Sequence, residues 1–317
     1  MAAALIRRRS VLAGLVVLAL VVALSLAAPL YAHWIAHTDA FAPNPNGTIV
    51  VHGQRVSVLQ PGATGLGETP IGPTWTSRYL LGADGQGRDA FARVLYGGRI
   101  SLTIGFLAAG ITCLIALALG LAMGFFRGWF DAILARVLDL VWAFPVYLLA
   151  IALASATLAH GIPLGPLTID SSSILLPTLI IALVSIPYVA RPVRAEAMAV
   201  RSSEFVEAAT ASGASTWRLI VGELLPNVLD VVLVLAPFIV ASNIIYESTL
   251  SYLSIGVQPP QASWGSLVSD GQDLLYTRPL VSILPGVMIV LTLMALYLVG
   301  DGVRDALKPG QREELPR

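Results

Sequence analysis

No charged residue interrupts the chain between Ile100 and Phe126. Few folds are open to a run this long and this apolar. About 20 apolar residues in a helix cross the hydrocarbon of a bilayer. Inside it, a helix satisfies every backbone group internally, whereas an open sheet does not. Comparable runs cover Val11–Leu30, Leu140–Ala159, Ile174–Ala190 and Leu280–Gly300, and Val231–Ile255 carries a single charge, Glu247. The chain has 317 residues, 56% hydrophobic and only 12% charged, with a mean hydropathy of +0.79. Charge is too sparse for a soluble globule. The expectation is an all-α polytopic membrane protein with six transmembrane helices and a long loop after the first. Formal net charge is zero, which argues against nucleic acid as a partner. Cys113 is the only cysteine, so no disulfide within the chain, cysteine metal site or redox pair is expected. Lys308 is the only lysine and Pro309 follows it. A phosphate-binding P-loop needs Ser or Thr there, so any ATP is bound by another polypeptide.

The first segment, 1–98, holds an N-terminal tail, the first helix and the loop. Arg7, Arg8 and Arg9 precede Val11–Leu30 and hold the N-terminus in the cytoplasm. A signal peptide cleaved near Ala27 and Ala28 is the rival, but the run exceeds the usual h-region. In the loop, Pro43 to Gly47 are turn-formers, and Thr48–Val51 and Gln54–Leu59 form a candidate hairpin around His52-Gly53. His33 and His37 are four apart, without a third metal ligand in view. Gly85-Gln86-Gly87-Arg88-Asp89-Ala90 has dinucleotide-fingerprint spacing but lacks the βαβ context that reading requires. Arg88, Arg93 and Arg99 fall on the outer side, against the positive-inside bias, which long loops obey poorly.

The second segment, 99–309, carries five further helices, and 310–317 is a cytoplasmic tail. Gly105, Gly110, Gly120 and Gly124 predict close packing of the second helix. The third carries Arg136 and Asp139 before Leu140–Ala159. Pro187 and Pro192 are expected to break the fourth near the inner surface, and Pro237 to bend the fifth. Six spans put both termini in the cytoplasm of a multi-pass inner-membrane protein, where most of the nineteen Lys and Arg then fall.

Between the fourth and fifth apolar runs lies Arg191–Asn227, which is too polar for a bilayer. Glu204 and Glu207 are three apart and share a helix face. Ala208 and Ala209 permit close approach by another protein. Gly213 can take positive φ, ending one short helix so that a second begins at Ser215. Pro226 suits the first turn of the next apolar helix. The expectation is a helical hairpin on one membrane face, joined at both ends to spans and able to pass force from a soluble partner into the bilayer.

Glu207, Ala208, Ala209, Gly213, Leu225 and Pro226 resemble, at the right spacing, the E-A-A-x3-G-x9-I-x-L-P loop of permease subunits of ATP-binding-cassette (ABC) importers. Glu223 stands where that pattern has isoleucine. Gly82, Asp84, Gly87, Arg88, Asp89, Arg93, Leu95, Tyr96, Gly97, Arg99, Ile100 and Ser101 resemble the segment before the core helices in the C-type permease of dipeptide, oligopeptide and nickel importers. Glu247 to Pro260 with Ser263-Trp264-Gly265, and Gly300 to Pro309, resemble two further stretches of that family. The resemblance implies the type I importer permease fold and a peptide cargo, with nickel complexes as the lesser alternative. It implies a sister permease, ABC ATPase subunits and an extracytoplasmic substrate-binding protein as partners, and no cofactor. It assigns ATPase coupling to Glu204, Glu207, Ala208, Ala209, Gly213, Ala214, Leu225 and Pro226.

Glu247 and Asn243 are candidates for lining a translocation path, because polar groups within spans are functional by default. No G-x-S-x-G or H-E-x-x-H occurs, so a non-catalytic transport subunit is expected. The rival is an ion-gradient-driven secondary transporter or channel, which predicts midplane charges that this sequence mostly lacks. An intramembrane enzyme is a third reading, without a catalytic cluster to carry it.

Overall fold

The computed structural model describes residues 8–51, 53–62, 67–159, 161–164, 167–170 and 172–307. Arg7, His52, Lys308, Pro309 and the tail at 310–317 lie outside the described residues. The helices are α1 (Arg9–Leu26), α2 (Ala90–Phe126), α3 (Gly128–Ala143), α4 (Val146–Leu158), α5 (Leu175–Arg201), α6 (Glu204–Ala211), α7 (Thr216–Tyr252), α8 (Trp264–Asp270) and α9 (Leu280–Leu307). Five of them, α1, α2, α5, α7 and α9, are long and apolar enough to cross a membrane. The α3–α4 pair makes a sixth when counted as one broken span.

Several boundaries differ from the sequence expectation. The third span is not continuous: α3 and α4 meet at 89°. Pro145 is the cause, because its ring disfavours helical backbone in the preceding residue, and Phe144 is extended at φ −88°, ψ 139°. Conversely, α5 runs through Pro187 and Pro192 to Arg201 instead of breaking. Proline within a span is tolerated where neighbouring helices support the freed backbone. Here α2 packs closely along α5, the Thr112 hydroxyl donating to the Ala182 carbonyl at 3.1 Å, one residue before Leu183, whose carbonyl Pro187 leaves without its helical partner. The α7 helix also passes through Pro237, and Pro226 stands in the first turn of its α-helical part, as expected, behind the π-helical lead-in Leu219–Leu224. The expected break between 98 and 99 falls inside α2, which begins at Ala90. Asp89 caps that start, its carboxylate accepting the Phe91 and Ala92 N–H groups at 3.0 and 3.1 Å.

Three of the four expected packing glycines are confirmed. A Cβ on Gly120 would stand 2.4 Å from Val193 Cγ1, and one on Gly124 2.4 Å from Ala197 Cβ, both on α5. At Gly105 it would meet Ile244 Cγ1 of α7 at 2.5 Å. Gly110 faces open space and packs against nothing.

Past α1, the chain continues through Ala28–Leu30 into a π-helical turn, Tyr31–Ala36. A small crown follows at that end of the bundle. Strands β1 (Thr48–Val51) and β2 (Gln54–Ser57) form the expected antiparallel hairpin, with Val51 opposite Gln54. Leu59, expected at the end of the second strand, instead opens β3 (Leu59–Pro61), which pairs with β4 (Glu68–Pro70). A third pair, β5 (Ile162–Leu164) and β6 (Leu167–Ile169), closes the loop after α4.

Two of the three arginines that offend the positive-inside bias, Arg88 and Arg93, are explained by burial, whereas Arg99 is only half-buried and lies over the Tyr96 ring at 5.7 Å. Arg88 Nε lies 2.7 Å from Asp84 Oδ2, and Arg93 reaches Asp270 on α8 at 3.1 Å. Arg93 also donates to the Ala40 carbonyl at 3.1 Å. These side chains are structural ties between crown, α2 and α8. Trp264 completes the junction: fully buried, it donates its indole N–H to the Val94 carbonyl at 3.1 Å.

Candidate functional site

The end of the bundle opposite the crown carries the hairpin predicted from Glu204 to Pro226. Because α5 runs on to Arg201, the segment off the spans narrows from 191–227 to the region between Arg201 and Thr216. Val206 fixes α6 in place; it is 2% exposed and belongs to the main core. Ala209 and Ala214 pack beside it. Glu204, Glu207 and Ala208 lie on the open side.

The turn closes as a Schellman motif. Gly213 has φ +80°. Its N–H donates to the Thr210 carbonyl at 3.0 Å, and that of Ala214 to the Ala209 carbonyl at 3.1 Å. An added Cβ at Gly213 would meet nothing within 4 Å, so backbone conformation and not space demands glycine. Ser215 then caps α7, its hydroxyl accepting the Arg218 N–H at 3.4 Å. The first part of α7 contains a π-helical segment, Leu219–Leu224, in which Glu223 is half-buried. Leu225 is half-buried and Pro226 exposed immediately beyond it. The hairpin is therefore helix-continuous with α7 and two residues removed from α5.

Two residues of this surface were missed in the sequence reading. Phe205 is 50% exposed between the two glutamates, and Trp217 is 74% exposed in the first turn of α7. Large aromatic residues are enriched at the centres of protein interfaces. The signal available in the sequence was an aromatic residue set between two acidic ones on a short polar helix.

The two path candidates sit elsewhere. Asn243 and Glu247 are both 0% exposed. The Ser185 hydroxyl of α5 donates to Asn243 Oδ1 at 2.9 Å, and that of Ser251 to Glu247 Oε1 at 2.7 Å. In this conformation neither side chain reaches a surface of the chain. In that state they are polar nodes between packed helices. The physical reason is that α7 is enclosed here by α2, α5 and α8, so its polar side chains turn inward to find partners.

The fold has solved counterparts. An inward-facing structure of the MetNI methionine ABC transporter matches 68% of this chain and 96% of its own, with a TM-score of 0.55 and 16% sequence identity. That likeness defines the class: a polytopic helical membrane protein with the ABC-transporter permease fold. The chain belongs to the family of binding-protein-dependent transport system inner membrane components, whose profile matches residues 116–313. A protein of Brucella suis biovar 1 (strain 1330), named as a peptide transport system permease protein, is 38% identical over 312 residues, covering 98% of this chain and 91% of the relative. The oligopeptide transport system permease protein of Escherichia coli K12 is 35% identical over 240 residues, covering 76% and 75%. The glutathione transport system permease protein of Pectobacterium atrosepticum is 35% identical over 234 residues, covering 74% and 73%.

Proposed function

We propose that this chain is one of two permease subunits of an ATP-driven importer of di- and oligopeptides. The observation that carries the proposal is the hairpin. Its open face presents Glu204, Phe205, Glu207 and Ala208, while Val206 and the continuous start of α7 weld it to the bundle. A surface held in this way transmits displacement of a docked partner to α5 and α7 without absorbing it in a flexible loop. ATPase subunits are the partner proposed for that face. ATP binding closes them, the hairpin moves with them, and the attached spans swing to open the pathway outward. An extracytoplasmic binding protein releases its cargo there, and hydrolysis resets the inward-facing state. This subunit performs no covalent chemistry. Peptide cargo is supported by the printed names of the relatives, glutathione being itself a tripeptide. Nickel complexes are the lesser alternative.

The proposed arrangement places both termini and the hairpin in the cytoplasm and the crown outside. Residues 1–98 supply the first span and most of the crown, and 99–309 supply the permease core with its coupling segment. Reporter fusions at Gly62 and Ser212 are expected to report opposite sides of the membrane; same-side signals would refute this topology. The decisive experiment is transport by the reconstituted complex. Peptide uptake should require ATP and disappear when the partner's P-loop lysine is mutated. Uptake that persists on an ion gradient alone would select the secondary-transporter reading instead.

A further inference from the structure

The two arginines that tie the crown to α2 and α8 also floor a cavity of about 300 Å³ at the crown end of the bundle. Arg88, Arg93 and Ser251 are buried at its base, whereas Gln86, Pro259 and Asp270 are exposed around its mouth. Gln261 and the α8 residue Ser269 belong to the wall between them. Only Val257 and Pro259 among the lining residues are apolar. A wall this polar excludes lipid tails.

The charges of the wall cancel. Arg88 Nε is 2.7 Å from Asp84 Oδ2, and Arg93 Nη2 is 3.1 Å from Asp270 Oδ2. Two polar atoms are nevertheless left over. Among the described residues, the buried side-chain atoms without a hydrogen bond are Arg93 Nε, Gln261 Oε1 and Asn243 Nδ2. The first two belong to side chains that line this cavity. Arg93 Nε lies 3.2 Å from Asp84 Oδ2, but no hydrogen bond is aligned between them. One orphan is a donor and the other an acceptor, and a buried polar group left unpaired is costly.

The solute that suits such walls is polar, carries no net charge, and offers an acceptor and a donor side by side. A backbone amide is such a group. We propose that this cavity takes one amide unit of a peptide, its carbonyl accepting from the Arg93 guanidinium and its N–H donating to Gln261 Oε1. Ligand pockets run from about 300 to 1,000 Å³, and this one stands at the small end. One peptide unit therefore enters, and the rest of the chain stays at the mouth. Reading the backbone alone leaves the peptide's side chains free to vary. The inference rests on the peptide-import reading and the crown-outside arrangement above, and adds a place on the crown where cargo meets this subunit.

The test uses the assembled transporter in vesicles. Cys113→Ser removes the native thiol. Ser269→Cys in the wall and Gln86→Cys at the mouth are made singly in that background, on different elements so that loss of one variant to misfolding leaves the other. Tyr276→Cys, at a fully exposed position outside the cavity, is the comparator. The probe ligand is N-acetylalanine N′-methylamide, an uncharged peptide unit with both ends blocked. The readout is the rate of modification by a membrane-impermeant thiol reagent. The ligand is expected to slow Ser269→Cys and Gln86→Cys saturably, about tenfold at a concentration ten times its dissociation constant, and to leave Tyr276→Cys unchanged. The same compound with both amide nitrogens methylated should protect neither. Equal protection by the two compounds, equal protection of Tyr276→Cys, protection by trialanine but not by the blocked unit, or no reaction at either cavity position would each overturn the inference. ATP-driven trialanine uptake by the Cys113→Ser parent, with its binding protein, is measured in the same vesicles. Uptake without protection overturns the cavity site alone, protection without uptake overturns the import reading, and the absence of both overturns both.

Discussion

Arg194 on α5 grips Asp131 on α3 with two parallel hydrogen bonds, Nε to Oδ1 at 2.5 Å and Nη2 to Oδ2 at 2.7 Å. The fork is the geometry at which arginine binds carboxylate best. It fastens the broken third span to the helix that leads into the hairpin. Arg194 keeps about a third of its side chain open, so water screens the pair and its worth is about 1 kcal/mol. A double-mutant cycle on Asp131→Ala and Arg194→Ala, read by thermal unfolding in detergent, should return a coupling of that size. The single variants should also lower transport more than ATP hydrolysis. Additive effects in the cycle would show that the fork contributes nothing.

The hairpin yields the second prediction. Glu207→Ala should remove a charge-assisted contact to the ATPase, of about 1.5–3 kcal/mol where the contact is desolvated. Gly213→Val should disturb the Schellman turn, because a β-branched residue strongly disfavours φ near +80°. Either change should weaken ATPase association or leave hydrolysis running without transport, with membrane insertion unaffected. Uptake assays at matched expression check this, and wild-type uptake by both variants would remove the coupling role.

Asp89 holds the crown to α2. Besides capping the helix, its Oδ2 accepts the Tyr79 N–H and the Thr38 hydroxyl, each at 3.1 Å. Loss of the cap and an orphaned buried N–H together predict that Asp89→Ala costs about 2–4 kcal/mol.

The same residue predicts a pH dependence. Burial pushes the Asp89 carboxyl up from its ordinary value, outweighing its hydrogen bonds. The folded state therefore holds this proton more tightly than the unfolded one. Its contribution to stability is greatest below the unfolded value near 4, falls as pH rises through the raised folded value, and is flat above it. Chemical denaturation of parent and Asp89→Asn across that acidic window should show the fall in the parent only.

Helix packing gives a final contrast. Gly124→Val inserts atoms where a Cβ alone would stand 2.4 Å from Ala197 Cβ, and overpacking of this kind costs about 1–3 kcal/mol. Gly110→Ala meets open space and should be neutral. Unfolding midpoints of the two variants measure the difference, and equal midpoints would contradict the α2–α5 contact.

The sequence by itself determined the spans, because an uncharged run such as Ile100–Phe126 has one stable form in a bilayer. It also determined the hairpin, because Gly213 and Ser215 act through local backbone preference: one admits positive φ and the other caps the next helix. Proline was legible only in part. Pro145 breaks the third span and Pro187 does not break the fourth, although both lack the same N–H. Pro187 is buried among neighbouring helices and Pro145 is exposed, a difference no local pattern reveals. Polar residues within spans were the least legible. Glu247 and Asn243 stood out in sequence as path candidates, but packing turned them inward onto serines. Which face of a span is open is decided by what packs on it, and that is settled only by the tertiary structure.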